Sequence, residues 1–238
     1  MTDSVHRLSS RHLRNVRPIW VHEPLDRTKA FDLLVFLDGE FYRDQIGAQS
    51  ITHDLQSRGE IANSLVVFVS HESMESRQLE CPCHRPFADF VARELLHWIW
   101  KRYPAAEKAR ERVLAGLSYT GLAASYVSMV YPDRFTRVIS QPGSYWWNRC
   151  SLVEQEARIQ GAIPTAHHLD VGNRETEVDL QHSPEVRQEV SQIEGVRRFR
   201  DVLLARGASV KHVEFDGGHD FEAWKKVLPG ALRWALPV

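Results

Sequence analysis

The stretch that decides the fold is Val113-Leu114-Ala115-Gly116-Leu117-Ser118-Tyr119-Thr120-Gly121-Leu122-Ala123-Ala124. An apolar run comes first, a turn with a central serine follows, and a segment rich in small residues comes last. This order predicts a buried strand, a tight turn that exposes the Ser118 hydroxyl, and a helix packed close to the strand. Ser118 is therefore a candidate nucleophile, and the amide of Tyr119 at the start of the helix can donate to a developing oxyanion.

One position of this turn departs from the usual G-x-S-x-G spelling of a nucleophile elbow. Thr120 stands where the second glycine is expected, and Gly121 follows one residue later. A β-branched residue is sterically disfavoured at this point, because the turn brings the strand and the helix close together. A helix that is capped by Ser118 after a buried strand is the alternative interpretation of the same residues.

Strand and helix patterns alternate on both sides of the serine turn, which predicts an α/β fold with a mainly parallel sheet. The predicted strands cover residues 17–21, 32–37, 65–70, 112–115, 137–140, 165–171 and 210–215, and the first of them forms a hairpin with a strand that starts near Val5. The predicted helices cover residues 46–58, 87–103, 122–131, 184–206 and 223–235. No internal repeat or low-complexity linker interrupts this alternation.

His219 is the candidate base, which a serine hydroxyl needs to become a good nucleophile. It lies in Phe215-Asp216-Gly217-Gly218-His219-Asp220, between the last predicted strand and the last predicted helix. The two glycines let this loop bend so that the imidazole points back over the sheet. A plain turn with a surface histidine is the alternative. His167 and His168 lie inside a predicted strand, where a structural role is expected.

The acid that orients the base should follow the preceding strand, because α/β-hydrolases place their triad in the order serine, acid, histidine. Leu169-Asp170-Val171-Gly172-Asn173-Arg174-Glu175 offers Asp170 within the strand and Glu175 in the loop beyond its end. Loops at strand ends are where α/β proteins build their sites, so Glu175 is the better candidate. An exposed loop glutamate is the alternative, and the two aspartates that flank His219 are too close to it in sequence.

The composition argues against several classes of partner and cofactor. Lys plus Arg number 30 and Asp plus Glu 31, which gives a formal net charge of -1 and no electrostatic reason to expect nucleic acid or a membrane surface. No apolar run reaches the roughly 20 residues of a membrane span, and residues 1–15 lack the apolar segment of a signal peptide. Three cysteines without framework spacing are expected to be free thiols, so we expect a cytoplasmic protein without a metal or cofactor.

Several longer segments, in order along the chain, resemble the enterochelin (enterobactin) esterase family of α/β-hydrolases. These segments are Leu37-Asp38-Gly39-Glu40, Arg77-Gln78-Leu79-Glu80-Cys81-Pro82-Cys83-His84, Glu94-Leu95-Leu96, the turn around Ser118, Ser140-Gln141-Pro142-Gly143-Ser144-Tyr145-Trp146-Trp147, Gly172-Asn173-Arg174-Glu175 and Gly217-Gly218-His219-Asp220. The resemblance runs from about Trp20 to the C-terminus. It implies a serine esterase that cleaves the ester backbone of a trilactone siderophore through an acyl-enzyme.

The resemblance also implies a fold and a set of site residues. We expect a single α/β-hydrolase domain over residues 1–238, without the separate N-terminal domain of the larger members. The implied triad is Ser118, Glu175 and His219. The implied oxyanion hole is formed by the amide of Tyr119 and a backbone amide near Gly39 and Glu40.

Four side chains are implied to contact the substrate, and these are Arg77, Tyr145, Trp146 and Trp147. The Arg77 cation would face catecholate or carboxylate groups, and a structural ion pair with Glu80 is the alternative. Core packing is the alternative for the aromatic run. The expected partner is a small-molecule ester, with a ferric siderophore as one candidate. A feruloyl-type or short-acyl ester or thioester, and a non-catalytic binding protein with a hydrolase fold, stay open as alternatives.

Overall fold

A computed structural model describes residues 4–238, so the first three residues of the predicted domain lie outside the described range. Its strands are β1 (Ser4–Ser10), β2 (Asn15–His22), β3 (Asp32–Leu37), β4 (Ser64–Val69), β5 (Arg112–Leu117), β6 (Arg137–Gln141), β7 (Ala166–Gly172), β8 (Leu180–Ser183), β9 (Val186–Gln188) and β10 (Val210–Phe215). Eight of them form one sheet in the order β1-β2-β4-β3-β5-β6-β7-β10. The β1–β2 and β2–β4 pairs are antiparallel, and all other neighbours in this sheet are parallel.

Helices flank this sheet on both faces. They are α1 (Ala48–Ser57), α2 (Met74–Glu80), α3 (Arg85–Asp89), α4 (Leu96–Arg102), α5 (Tyr119–Val130), α6 (Trp147–Ala157), α7 (Gln192–Ala205) and α8 (Phe221–Ala235). Short π-helical turns lie at Phe41–Ile46 and Phe90–Leu95, and a 3₁₀ turn lies at Pro104–Lys108. The α/β fold with a mostly parallel central sheet is thus as predicted from the sequence.

All six residues of the central strand β3 are buried, because helices cover both faces of the sheet at this strand. Successive side chains of a strand point to opposite faces, so an apolar run without alternation suits a strand covered on both sides. Leu33 and Val35 pack into the layer formed with α3, α4 and α5. Leu34 and Phe36 pack into the opposite layer, formed with α1 and α8.

Parallel pairing brings the carboxyl ends of the strands to one edge of the sheet. Phe36 of β3 lies opposite Ala115 of β5, so the residues that follow both strands are neighbours. Phe215 of β10 lies opposite Gly172 of β7, which places the loops with Glu175 and His219 side by side. This edge therefore collects every loop that carries a candidate triad residue.

The predicted helix over residues 184–206 is wrong in its first part. Residues 180–188 form the small antiparallel hairpin of β8 and β9, and α7 begins only at Gln192. Pro184 lies in the turn of the hairpin, where its fixed φ suits a turn as well as a helix start. The side chain of Ser191 caps α7 by accepting a hydrogen bond from the amide of Glu194.

Candidate active site

Ser118 lies on a strained turn between β5 and α5. Its φ of 54° and ψ of -120° fall in a region that non-glycine residues rarely adopt. The residues around it must be small: a Cβ on Gly116 would lie 2.1 Å from the Thr120 carbonyl oxygen, and a Cβ on Gly121 would lie 2.8 Å from Ser140 Oγ. The Ser118 amide donates to the Gln141 carbonyl at 2.7 Å, which ties the turn to β6.

The three candidate triad residues meet in space although 101 positions separate the serine from the histidine. His219 Nε2 lies 3.1 Å from Ser118 Oγ, and His219 Nδ1 lies 2.6 Å from Glu175 Oε2. A carboxylate accepts only, so Nδ1 carries the proton and Nε2 is left to accept from the Ser118 hydroxyl. The second oxygen of Glu175 accepts from the Gly172 amide at 2.7 Å, which fixes the carboxylate under the imidazole.

The loop that carries His219 is held tightly against the loop after β7. The Arg174 amide donates to the Gly217 carbonyl at 3.1 Å, and a Cβ on Gly172 would lie only 2.4 Å from that same oxygen. Trp224 meets the imidazole edge-on, with ring centroids 4.8 Å apart. Asp220 accepts from the Ala223 amide at 2.9 Å and so caps α8, a structural task that explains an acid beside the histidine.

Arg77 makes an ion pair, but its partner is Asp38 and not Glu80. Arg77 Nε and Nη2 donate to the Asp38 carboxylate at 2.9 and 2.6 Å. Burial disfavours ionisation of Asp38, yet the Arg77 charge and the hydrogen bonds outweigh it and hold the pKa of this carboxyl below its usual value. Glu80 instead pairs with Arg17, another buried guanidinium. Arg77 thus lines the site with its charge already neutralised.

The predicted oxyanion donors lie on neighbouring loops at the same edge of the sheet. Tyr119 is the first residue of α5, where the amide has no partner within the helix. Gly39 and Glu40 follow β3, the strand beside β5. A Cβ on Gly39 would lie 2.7 Å from the Val69 amide nitrogen, so only glycine allows this loop to approach β4 so closely.

A cavity of about 480 Å³ opens over Ser118 and His219. Its other lining residues are Arg77, Gln78, Tyr119, Ser144, Trp146, Arg174, Glu175, Glu177, Leu180, His182, Gln188 and Gln192. The β8–β9 hairpin supplies part of this wall. The sequence does not indicate this part of the wall, because the pattern predicts a helix over residues 184–206 and no strand over residues 180–183.

The aromatic run after β6 divides between the cavity and the core. Trp146 lines the cavity, stacks on His182 at 4.7 Å and donates from Nε1 to Gln192 at 2.6 Å. Tyr145 is 1% exposed and stacks on Phe199 inside the core, so it does not take the substrate-facing place that the resemblance implied. Trp147 is half-buried and packs against the core layer around α7 rather than lining the cavity.

Arg174 is a charged residue of the cavity with no role predicted from the sequence. Its side chain is exposed, and no carboxylate within residues 4–238 forms an ion pair with its guanidinium. It stands next to Glu175 in the loop after β7, and Glu177 is the other charged neighbour on this wall. The signal for it was present in Gly172-Asn173-Arg174-Glu175, where Arg174 precedes the candidate acid.

The described residues hold neither a cluster of metal ligands nor a membrane-spanning helix. Nowhere in residues 4–238 do three or more His, Cys, Asp or Glu side chains gather in a way that could hold a metal ion. Within the same range, no helix combines the length and the apolar character needed to cross a membrane. The three cysteines, Cys81, Cys83 and Cys150, are free thiols.

A family model described as putative esterase matches residues 10–235. The chain belongs to this esterase family. Among its relatives, iron(III) enterobactin esterase from Escherichia coli O6:H1 (strain CFT073) is 34% identical over 228 residues, which cover 94% of this chain and 54% of that protein. Iron(III) enterobactin esterase from Dickeya dadantii is 27% identical over 249 residues, which cover 95% of this chain and 53% of that protein.

Solved structures of enterobactin esterases also resemble this chain in fold. The enterobactin esterase of Shigella flexneri, crystallised in the presence of enterobactin, superposes with a TM-score of 0.85 at 27% identity. The match covers 99% of this chain and 58% of that one. The chain thus spans about half the length of the curated relatives it matches. The resemblance to enterobactin esterases that the sequence motifs indicated is confirmed.

Proposed function

We propose that the protein is a serine carboxylic-ester hydrolase that cleaves ester bonds of an enterobactin-type trilactone siderophore. The observation that carries this proposal is the chain of contacts from Ser118 Oγ to His219 at 3.1 Å and from His219 to Glu175 at 2.6 Å. These three residues lie on the wall of the cavity, where a bound ester can reach the serine.

The geometry supports an acyl-enzyme mechanism. His219 Nε2 takes the proton of Ser118 as Oγ attacks the ester carbonyl, and Glu175 stabilises the imidazolium that forms. The amide of Tyr119 and an amide of the Gly39–Glu40 loop then donate to the tetrahedral oxyanion, each contributing roughly 3 kcal/mol in sites of this type. His219 returns its proton to the leaving alcohol, and water activated in the same way releases the acid.

The chemistry of the cavity wall supports a catecholate substrate. Arg174 offers an unpaired guanidinium, and the exposed His182 ring, stacked on the buried Trp146, offers flat aromatic surface. Anionic aromatic groups are bound well by this combination, because a guanidinium donates to oxygen anions while rings stack on the aromatic plane. The relatives named for iron(III) enterobactin support the same class of substrate.

A feruloyl-type or short-acyl ester is the second candidate substrate. A cavity of about 480 Å³ suits a single drug-sized ligand, so an ester of one aromatic acid also fits. Comparing kcat/KM for enterobactin, feruloyl and acetyl esters separates the two, and we expect enterobactin to give the highest kcat/KM.

A cytoplasmic location and a single domain over residues 1–238 stay predictions from the sequence.

The serine assignment is tested by Ser118→Ala with a small p-nitrophenyl ester as substrate. We expect hydrolysis to be abolished with the fold intact, because the nucleophile is gone and nothing replaces it. Ser128→Ala is the matched control, since Ser128 is a buried serine of α5 whose hydroxyl bonds to the Ser125 carbonyl. Full activity of Ser118→Ala would refute the assignment.

A further inference from the structure

The hydroxyl of Thr120 lies at the junction of three polar groups behind the serine turn. Its Oγ1 accepts from the Leu117 amide at 2.9 Å, lies 2.8 Å from the Leu117 carbonyl oxygen and lies 2.9 Å from Asp38 Oδ2. Thr120 is 1% exposed. A hydroxyl has a single proton to donate, and a bond to the Asp38 carboxylate is the stronger choice because its acceptor is charged.

Asp38 is held firmly on its own side of this contact. Two donors of the Arg77 guanidinium fix its carboxylate, and His71 Nδ1 lies 3.3 Å from Oδ1. The His71 ring also lies 2.9 Å from Glu40 Oε1, so it contacts the loop at two acidic side chains. The backbone of Asp38 has a φ of 55°, a left-handed conformation that contacts of this kind must maintain.

The two halves of the proposed oxyanion hole follow different strands, β5 and β3. One amide belongs to Tyr119, the residue before Thr120, and the other belongs to the loop that begins at Gly39, the residue after Asp38. A side-chain hydrogen bond from Thr120 to Asp38 therefore bridges the two loops within one or two residues of each donor. Arg77 is a second link, because it bonds Asp38 and also lies 3.4 Å from the Leu117 carbonyl oxygen.

We propose that Thr120 is a positioning residue whose hydroxyl sets the spacing of the two oxyanion donors. The inference rests on the proposed function, since it concerns stabilisation of the same tetrahedral intermediate. It also accounts for a threonine where the usual elbow has glycine. The hydroxyl satisfies the Leu117 amide and the Asp38 carboxylate at once, which offsets the cost of a β-branched side chain in this turn.

The test compares Thr120→Val, which keeps the shape but removes the hydroxyl, with Thr120→Ser, which keeps the hydroxyl. A donor displaced by a fraction of an ångström costs roughly tenfold in rate or more, so we expect kcat of Thr120→Val on a p-nitrophenyl ester to fall by about tenfold. KM should stay within about twofold, and affinity for a trifluoromethyl ketone should fall in step with kcat. Thr120→Ser should restore both.

The matched control is Thr52→Val, because Thr52 is a buried threonine whose hydroxyl bonds within α1 to the Ala48 carbonyl. Thr52→Val should lose about as much stability as Thr120→Val does, without a change in kcat. Thermal unfolding is measured on every variant, and Thr120→Ala replaces Thr120→Val if the valine variant does not fold. The smaller side chain then tests the same loss of the hydroxyl.

Three outcomes would overturn the inference: an unchanged kcat without the hydroxyl, a rise in KM alone, or an equal loss in Thr120→Ser. Failure of the proposed function has a different signature. In that case the wild-type protein would hydrolyse no ester, or Ser118→Ala would be as active as the wild type. An active wild type with an inactive Ser118→Ala and an unaffected Thr120→Val rejects the positioning role alone.

Discussion

At the scale of single residues, the carboxylate of Glu175 decides which nitrogen of His219 carries the proton. Glu175→Gln offers an amide in its place and favours the wrong tautomer, as the corresponding change does in serine proteases, where kcat falls by about 10⁴. We therefore expect a loss of roughly that size in ester hydrolysis, with an unchanged melting temperature as the sign of an intact fold. Glu185→Gln, on the exposed turn of the β8–β9 hairpin, is the control and should retain full activity.

Arg174 should determine preference for anionic esters. Its exposed guanidinium lines the cavity, and an exposed charge pair contributes up to about 1 kcal/mol, or roughly fivefold. We expect Arg174→Gln to lower kcat/KM by about that factor for an aryl ester that carries a carboxylate, and to leave a neutral aryl acetate unaffected. Arg187→Gln is the control, because that exposed arginine pairs with Asp179 outside the cavity. Equal losses on both esters would argue against a role in charge recognition.

Asp170 predicts a dependence of stability on pH. Burial, followed by the charge of Glu175, raises the pKa of this carboxyl well above its usual value, so the folded protein holds this proton to higher pH than the unfolded chain does. Between about pH 4, where the unfolded chain releases the proton, and the raised pKa of the folded protein, the residue lowers stability as pH rises. Asp170→Asn mimics the neutral acid, so it should raise the free energy of unfolding. Urea unfolding should show a larger gain over the wild type at pH 8 than at pH 5. A gain independent of pH would contradict a protonated Asp170.

At the scale of elements, the serine turn depends on the close approach of β5, α5 and β6. Gly121→Ala places a Cβ 2.8 Å from Ser140 Oγ and 3.0 Å from Gly143 Cα. Overpacking of this kind costs about 1–3 kcal/mol, and we expect urea unfolding to show that loss together with a fall in kcat. Gly230→Ala in α8 meets nothing within 4 Å, so it should instead gain roughly 0.5–1 kcal/mol. A stable, fully active Gly121→Ala would mean that the turn tolerates wider spacing.

The elements also show what a sequence can and cannot predict. Apolar runs such as residues 32–37 predicted their strands well, because burial on both faces leaves an unmistakable pattern. The β8–β9 hairpin was missed because its short strands are only partly buried and pair only with each other. Which side chains meet is a property of the folded chain. Spacing along the chain therefore did not distinguish Trp146, which lines the cavity, from Tyr145, which packs in the core.

At the scale of the whole molecule, one sheet edge gathers loops that are far apart in sequence. The loops after β3, β5, β7 and β10 supply the Asp38 carboxylate, the serine, the acid and the histidine. Their places at the carboxyl ends of strands could be predicted, because the sequence pattern indicates a strand before each of them. The Arg77–Asp38 pair could not, since the sequence suggested only Glu80 as an ion-pair partner of Arg77, and it is the fold that brings Asp38 to Arg77 and Arg17 to Glu80.

The most direct test of the central claim is the reaction of the purified protein with a fluorophosphonate, followed by mass spectrometry of the intact chain and its peptides. We predict one phosphonyl group per chain, on Ser118, with no labelling in Ser118→Ala and much slower labelling in His219→Ala. Such reagents react with a serine only where a base and oxyanion donors activate it. An unlabelled wild-type chain, or a label on another residue, would contradict the assignment of Ser118 as an activated nucleophile.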